Sequence, residues 1–258
     1  MTGQLAPRKR TLRLSTRLEM IVRSLFIQAT NNYERMLSFG FLFALWPALK
    51  FIYPDAESRR RAAIRHLAFF NTQPYFANCI LGVVTQAELR GGEDVAGEVA
   101  SIKEAMMGAF GALGDDLFWA GLMPAAALLA LIIYGLAPEY ALVGAVAALV
   151  AYNGFHLWAR VRMFAVGLRL GRHITNYLRL LRLPQFVVTV KVAAAFLLGI
   201  FAAVVVWRGG VSASWVVGGV AAAAAVGATA FLQYLRLRPG LCWYFVVAAA
   251  VVVGAWIR

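Results

Sequence analysis

Five long apolar stretches fill most of the chain after residue 117, and they restrict its possible folds more than any other feature. They are Leu117–Ala137, Tyr140–Ala159, Pro184–Trp207, Val211–Leu235 and Pro239–Ile257. About twenty apolar residues are needed to cross a bilayer as a helix, and a helix satisfies its own backbone polar groups inside lipid. The chain has 258 residues, of which 62% are hydrophobic and 14% charged, whereas soluble domains are about half apolar and about a quarter charged. The sequence predicts an all-α, polytopic integral membrane protein in which these stretches are transmembrane helices.

The distribution of basic residues predicts the orientation of these helices. The formal net charge of +13 alone would suit a nucleic acid partner, but the basic residues bracket the apolar stretches, as in positive-inside topology. The connection from Arg160 to Arg182 contains six arginines and no acid, and Arg236 and Arg238 mark a second basic turn. Both are predicted to be cytoplasmic, which places the N-terminus in the cytoplasm and the C-terminus outside. No nucleic acid is expected as a partner.

Residues 1–35 are predicted to form a basic amphipathic helix at the cytoplasmic interface. Leu14, Leu18, Ile21 and Leu25 recur at helical spacing, and arginines occupy the other faces. Such a helix suits a membrane surface that contains anionic lipid. Packing on a partner subunit would use the same apolar stripe, and the spacing does not separate the two interpretations.

Residues 36–137 are predicted to form an N-terminal core with interrupted or re-entrant helices, and residues 138–258 a C-terminal transmembrane scaffold. Met36–Tyr53 and Ala68–Thr85 are apolar but short for a full span, and each contains a proline. Paired, interrupted segments of this kind are typical of transporter binding sites. Gln86–Glu104 contains two adjacent glycines and five acids, which predicts a solvated loop and a short helix.

A polar cluster interrupts the second of these short segments. Asn71, Thr72 and Gln73 stand beside Pro74 in otherwise apolar sequence. Amides and hydroxyls are costly to bury without partners, and at membrane depth they usually line a cavity or bond a neighbouring helix. Proline removes a backbone donor and breaks a helix. The cluster therefore predicts a broken helix whose amides bind an uncharged polyol such as a sugar.

Other polar residues beside the apolar stretches are further candidates. Glu34 and Arg35 share a helical face, where the pair could bind sugar hydroxyls or form an interfacial salt bridge, and spacing alone favours the salt bridge. Gly108–Asp116 has three glycines at intervals of three, which predicts a glycine-rich turn that enters a span. Acids at a membrane boundary are expensive unless they are used, and after Glu139 the chain contains none. The candidates for an intramembrane carboxylate are Glu34, Asp115, Asp116 and Glu139.

Motifs for catalysis or cofactor binding are not found in the sequence. His66, His156 and His173 have no cysteine or carboxylate at metal-ligand spacing and no nucleophilic partner. No ATP-binding or redox-cofactor motif is present. The chain is therefore predicted to have no catalytic residue, metal or cofactor, and His66 is predicted to lie at the surface or at lipid headgroups.

Motifs in the first half of the chain resemble those of a known family. They fall in order and at the expected spacing, densely from Arg23 to Pro124 and more faintly up to Gly171. The motifs are Tyr33–Met36, Gly40–Phe41, Pro47, Tyr53–Pro54, Arg65–Leu67, Phe69–Pro74, Ile80–Gly82, Gly114–Asp115 and Phe118–Trp119. Together they resemble the IID membrane subunit of the mannose/fructose/sorbose family of the phosphotransferase system (PTS).

The resemblance implies a function in sugar transport. Permeases of this family consist of IIC and IID subunits in the bacterial inner membrane, and cytosolic IIA and IIB subunits relay phosphate from phosphoenolpyruvate to the incoming hexose-type sugar. The IID subunit is not itself phosphorylated, so the chain would be a transport subunit of a hetero-oligomer and not an enzyme. By resemblance, the substrate-binding residues would be Glu34, Arg35, Asn71, Thr72, Gln73 and Asp115.

Three positions depart from the family pattern. Ala109 stands in place of a proline, Asp116 in place of the proline of a Gly-Asp-Pro motif, and Met123 in place of an arginine. These departures leave the identity of the sugar open. They also leave an alternative function, in which a diverged, non-transporting subunit is a membrane scaffold or regulator that docks PTS proteins.

Overall fold

The computed structural model describes residues 11–91, 95–174 and 182–208, and in these residues the chain is helical. The segments are α1 (Leu14–Ser24), α2 (Ser38–Ile52), α3 (Ala56–His66), α4 (Ala77–Arg90), α5 (Val95–Gly114), a π-helix (Asp115–Leu122), α6 (Met123–Leu136), a 3₁₀ turn (Pro138–Tyr140), α7 (Ala141–Leu170), a 3₁₀ turn (Gly171–His173) and α8 (Leu183–Arg208). The all-α class predicted from the sequence is confirmed for these residues.

Among the residues that the structure describes, three helical runs are long and apolar enough to cross a membrane. They are Val95–Leu136, Pro138–His173 and Leu183–Val205. They coincide with the first three predicted spans, while the last two predicted spans lie outside the described residues. The first run begins well before the predicted start at Leu117, because α5 and α6 are continuous through the π-helix.

The prediction of a solvated loop and a short helix over Gln86–Glu104 is wrong for the described residues of this stretch, most of which belong to two long helices. Helix α4 continues to Arg90, and α5 already begins at Val95. Glu88 lies on the inner face of α4, with only 1% of its surface exposed. Burial is possible because the charge of this carboxylate is matched by basic and hydroxyl side chains from other helices.

Residues 108–114 are helical and do not form the predicted glycine-rich turn. Each glycine weakens a helix by about 1 kcal/mol relative to alanine. Here the longer run of helix-favouring residues on either side prevails, and the missing side chain of Gly114 serves a close contact instead. The π-helix begins at Asp115, directly after that glycine. Segments of π-helix within a longer α-helix are frequent at functional sites.

Helix α7 is longer than the sequence analysis predicted. It runs to Leu170, past the predicted end of the span at Ala159. The first part of the predicted basic connection, from Arg160 onward, is therefore a continuation of the helix. Gly171 follows with a φ of 53°, the left-handed conformation that commonly ends a helix.

The chain divides into two compact units, of which the first comprises Met1–Asp115 and Gly154–Pro184. Its fully buried side chains come mainly from α2 and α4 and include Phe41, Leu45, Leu49, Ile80 and Leu81. The backbones of helices α4 and α7 are in direct contact at Gly82. A Cβ atom on Gly82 would lie 2.4 Å from the carbonyl oxygen of Phe164, so only glycine allows this approach.

The second unit comprises Asp116–Asn153 and Gln185–Arg258. Its described part contains most of the π-helix, all of α6, the part of α7 up to Asn153, and α8 from Gln185 onward. The Nζ of Lys191 on α8 lies 3.0 Å from Oδ1 of Asp116 in the π-helix. This ion pair joins two apolar helices at charged positions that would otherwise be costly within a membrane.

The apolar stripe predicted on α1 is exposed in the structure. Leu14 and Leu18 of α1 and the following Leu25 are exposed and Ile21 is half-buried, whereas Met20 and Ser24 are buried. The stripe is therefore available to lipid or to another subunit, the two alternatives that the sequence left open.

Candidate substrate-binding segment

The predicted polar cluster lies in the connection between α3 and α4, residues 67–76, which we call the polar segment. The chain just before α2 binds its first half. The N–H of Leu37 donates to the carbonyl oxygen of Phe70 at 2.9 Å, and the guanidinium of Arg35 donates to the carbonyl oxygen of Leu67 at 3.0 Å. Arg35 is thus bonded directly to the polar segment.

The three polar residues of the segment differ in environment. Asn71 is exposed, whereas Thr72 and Gln73 are buried. The Oε1 atom of Gln73 accepts hydrogen bonds from the backbone N–H groups of Tyr75 at 2.7 Å and Phe76 at 3.1 Å. The side chain of Gln73 therefore shapes the turn that leads into α4.

Pro74 lies within this turn and not inside a helix. Helix α3 ends at His66, and α4 begins at Ala77. The proline thus separates two helices, whereas the sequence analysis expected it to break one. Proline suits the position because its backbone has no N–H to satisfy.

The buried half of the polar segment packs against a glycine of α5. A Cβ atom on Gly114 would lie 2.4 Å from the Cβ of Gln73, a distance that real side chains do not tolerate. Thr72 Oγ1 and Gln73 Nε2 are buried here without a hydrogen-bond partner in the described part of the chain. Because buried polar groups are nearly always bonded, these two atoms are candidates for contact with an external partner.

Gly114→Ala is expected to destabilise the first unit by about 1–3 kcal/mol, because the added methyl group overlaps Gln73. The control is Gly108→Ala in the same helix. A Cβ there meets no atom within 4 Å, and alanine favours a helix over glycine. The measurement is the thermal unfolding midpoint of each purified variant in detergent. Equal midpoints for the two variants would contradict the packing of Gln73 on α5.

Glu34 and Asp115, the two acids among the predicted site residues, are exposed. The ion pair considered for Glu34 and Arg35 is not formed, because Arg35 binds the carbonyl oxygen of Leu67. Asp115 is the first residue of the π-helix and follows Gly114 directly. The structure therefore packs Thr72 and Gln73 against α5, whereas the exposed Arg35 is bonded to the same segment at Leu67. Glu34 has no ion pair among the residues that the structure describes.

A second polar cluster, which the sequence analysis missed, is centred on Glu88 of α4. Arg65 binds both carboxylate oxygens, with Nε 2.9 Å from Oε1 and Nη2 2.8 Å from Oε2. The Nε2 atom of His66 lies 2.8 Å from Oε1, and the Tyr53 hydroxyl donates to Oε2 at 2.6 Å. We call these four residues the Glu88 cluster. Its hydrogen bonds satisfy a carboxylate that is removed from solvent.

The Glu88 cluster shifts the pKa values of its members. Burial lowers the pKa of His66 from 6.5 to about 4, although the hydrogen bond to Glu88 favours the charged form. Burial alone would raise the pKa of Glu88, but the hydrogen bonds from His66 and Arg65 outweigh it and lower that pKa to about 2. At neutral pH, His66 is thus uncharged and Glu88 ionised. The Nε2 of His66 must then carry the hydrogen that it donates to Glu88.

Lys103 of α5 connects the Glu88 cluster to the polar segment. Its Nζ donates to the carbonyl oxygen of His66 at 3.2 Å. The same atom lies 4.9 Å from the ring centre of Phe41 and 5.1 Å from that of Phe70, within the range of cation–π attraction. Phe70 is fully buried. The first half of the polar segment is therefore anchored between α2 and α5.

Glu88 was not predicted as a site residue, because local composition groups it with solvated acids, and the prediction that His66 lies at the surface is wrong. A signal was present in the helical repeat. Leu81, Val84 and Glu88 recur at intervals of three and four, which extends the apolar face of α4 to the carboxylate. An acid on a buried face requires a basic partner, but the sequence does not show that Arg65, which belongs to a different helix, supplies it.

Comparison with known proteins places the chain in a family. The family model described as "PTS system mannose/fructose/sorbose family IID component" matches residues 11–229. The chain belongs to this family. The resemblance found in the sequence is confirmed, and the chain is an EIID component of the mannose/fructose/sorbose PTS permease family. IID components are membrane proteins, in agreement with the three membrane-length helices.

IID components of several bacteria are similar to the chain over part of their length. The mannose-specific EIID component of Escherichia coli (strain K12) is 35% identical over 161 residues, which are 61% of this chain and 56% of that protein. The fructose permease IID component of Bacillus subtilis (strain 168) is 32% identical over 113 residues, 43% of this chain and 41% of that protein. The sorbose-specific EIID component of Lacticaseibacillus casei is 31% identical over 182 residues, 68% of this chain and 62% of that protein. These matches thus span about half the length of the relatives.

Two solved structures are similar to the chain. A chain in the cryo-EM structure of a complex of the mannose transporter ManYZ with Microcin E492 is 26% identical, with a TM-score of 0.59. The similarity covers 96% of this chain and 97% of that one. A second structure, described only as a membrane protein, has a TM-score of 0.72 over 96% of this chain at 24% identity and supports the fold alone.

Proposed function

We propose that the chain and a IIC subunit together form the sugar translocation path of a phosphoenolpyruvate-dependent phosphotransferase permease in the bacterial inner membrane. The observation that carries this proposal is the family match over residues 11–229. The similarity to a chain of the mannose transporter ManYZ, which extends over almost the whole of both chains, supports a IIC partner.

The polar segment is the part of the chain that we propose to contact the sugar. Its exposed amide, Asn71, can both donate and accept hydrogen bonds, as sugar hydroxyls require. Thr72 and Gln73 add buried polar atoms whose bonds are not satisfied by the described residues. Each such atom costs about 1–3 kcal/mol if it stays unbonded. Contact with a sugar, or closure of the site by the IIC subunit, would recover that cost.

Phosphoryl transfer in this proposal takes place on the IIA and IIB partners. The environment of His66 supports a non-catalytic role for this chain. His66 is fully buried, and its Nε2 is engaged by Glu88, so a phosphoryl donor has no access to it. The candidate sugar ligands Asn71, Thr72 and Gln73 carry amide and hydroxyl groups, which do not ionise at neutral pH.

The test of the proposed function is a gene deletion in the native host. Phosphoenolpyruvate-dependent uptake of radiolabelled mannose, fructose and sorbose is measured separately with and without the chain. We expect the uptake of at least one sugar to be lost and to return with a plasmid copy. Unchanged uptake of every phosphotransferase sugar would contradict transport and favour a scaffold or regulatory subunit.

The role of the polar segment is tested by complementation of the same strain with Asn71→Ala. Asn71 is exposed, so its replacement is expected to leave the amount of the chain in the membrane unchanged. Sugar uptake is expected to weaken, because the variant lacks the amide that we propose to contact the sugar. Gln28→Ala, at another exposed amide, is the matched control. Wild-type uptake by Asn71→Ala would mean that the segment does not bind the sugar.

A further inference from the structure

Tyr75 connects the polar segment to α7. Its ring stacks on that of His156, with the ring centroids 4.4 Å apart and an interplanar angle of 15°. The guanidinium carbon of Arg160 lies 4.8 Å from the centroid of the same tyrosine ring. His156 and Arg160 are one helical turn apart, so one face of α7 presents both. We call these two residues and Tyr75 the α7 clamp.

Arg160 is fixed by contacts that leave it little freedom. It is only 4% exposed, and its Nη1 donates to the carbonyl oxygen of Ser24 at 2.7 Å. Ser24 is the last residue of α1, where the helix dipole favours a positive charge. No carboxylate pairs with Arg160 among the described residues. The helix end and the tyrosine ring are therefore the groups that balance its charge.

Asn78 of α4 strengthens the same junction. Its Nδ2 donates to the Ser24 hydroxyl at 2.9 Å and lies 3.4 Å from the Arg160 carbonyl oxygen. Helices α1, α4 and α7 thus meet at one buried polar point. Arg160 belongs both to this junction and to the α7 clamp. The buried hydrogen bonds of the junction therefore hold the clamp more firmly than a stacking contact at the surface would be held.

The contacts of Tyr75 lead from the α7 clamp to the proposed sugar site. Its ring is held by α7, and its backbone N–H donates to Oε1 of Gln73. Because the ring is held in place, the backbone N–H of Tyr75 is held in place as well, and this N–H orients the side-chain amide of Gln73. We infer that His156 and Arg160 are positioning residues that hold Gln73, and with it Thr72, in the conformation that binds the sugar. This inference rests on the proposed function of the polar segment.

The test compares His156→Ala with His156→Phe in the complex of the full chain with its IIC partner. The phenylalanine keeps a flat ring against Tyr75, and the alanine removes it. We expect His156→Ala to raise the KM of sugar uptake by about 2- to 10-fold, the range that corresponds to an aromatic stacking contact. The maximal rate and the amount of complex in the membrane should change little. His156→Phe should restore the KM, which a role of the imidazole in hydrogen bonding would not predict.

Trp158→Ala is the matched control, because Trp158 lies on the same helix but is exposed. Its KM should equal that of the wild type. An unchanged KM for His156→Ala, or the same rise for His156→Ala and His156→Phe, would overturn the inference.

A measurement that does not require transport separates this inference from the proposed function. Hydrogen exchange of the Tyr75 and Phe76 amides in the purified complex is expected to accelerate in His156→Ala and to return to the wild-type rate in His156→Phe. If the wild-type complex moved no sugar, the proposed function would fail, and the exchange rates alone would decide the inference. Unchanged exchange in His156→Ala would then overturn it.

Discussion

Glu88→Ala is expected to destabilise the first unit by about 3–5 kcal/mol, the usual cost of removing one partner from a buried ion pair. The variant leaves Arg65 half-buried without its counter-ion and removes the acceptor of His66 and Tyr53. Domains are commonly stable by only about 5–15 kcal/mol, so most of the folded protein should be lost at moderate temperature. The measurement is the unfolding midpoint of the purified chain in detergent.

Glu57→Ala is the control for Glu88→Ala. Glu57 pairs with Arg60 and Arg61 at the surface of α3, where solvent screens ion pairs, so its loss should change the midpoint little. A midpoint for Glu88→Ala as high as that of Glu57→Ala would show that the Glu88 cluster contributes nothing to folding.

The pH dependence of stability tests whether Glu88 stabilises the fold through its negative charge. Glutamine has nearly the same shape as glutamate but does not titrate. The pKa of His66 is lowered from 6.5 to about 4, so between these values the unfolded chain binds a proton that the folded chain does not. The pKa of Glu88 is lowered from 4.5 to about 2, with the same consequence at lower pH. Stability thus falls through His66 as the pH drops below 6.5, and through Glu88 as it drops below 4.5. In Glu88→Gln the decline below pH 4.5 should be weaker, and an unchanged decline would exclude Glu88 as its source.

Phe70→Ala is expected to cost about 3–5 kcal/mol of stability, as is usual for the loss of a buried phenylalanine. The centroid of its ring lies 4.5 Å from that of Phe41, and the Nζ of Lys103 makes a cation–π contact with the same ring. Because Phe70 is the residue before Asn71, the variant should also release the polar segment and abolish sugar uptake. Unfolding midpoints and uptake are measured on the same preparations.

The adjacent Phe69 provides a matched control for this variant. The two residues are identical in type, but Phe69 is 51% exposed and Phe70 is 0% exposed. Phe69→Ala should therefore leave both stability and uptake close to the wild type. Equal losses in the two variants would contradict the anchoring of the segment through Phe70.

The parts of the fold that depend on local sequence were predictable. Long apolar runs predicted the membrane-length helices from the cost of unsatisfied backbone groups in lipid. The polar residues beside Pro74 were recognised because they interrupt an apolar segment, and the motifs around them indicated the family. The packing of Thr72 and Gln73 against α5 was not predictable, since the glycine that permits it, Gly114, lies about forty residues further along the chain.

The parts that depend on distant partners were predicted incorrectly. Glu88 is a solvated acid by local composition, and only the approach of Arg65 from α3 makes its burial possible. Likewise, the glycines of residues 108–114 favour a turn locally, but the continuous helix from α5 to α6 prevails. His156 and Arg160 were not candidates, because their relation to Tyr75 is formed only by the packing of α7.

The length of α7 has a mechanical consequence for its arginines. Its 30 residues correspond to about 45 Å, at a rise of about 1.5 Å per residue, whereas the hydrocarbon layer is about 30 Å thick. The whole helix would fit within that layer only if its axis were tilted by about 48° from the bilayer normal, which is beyond the usual range of about 0–40°. We therefore expect one end of α7 to extend beyond the hydrocarbon layer. Arg162 and Arg169 lie near its C-terminal end, so that end is the one expected in water, where the two guanidinium groups keep their hydration.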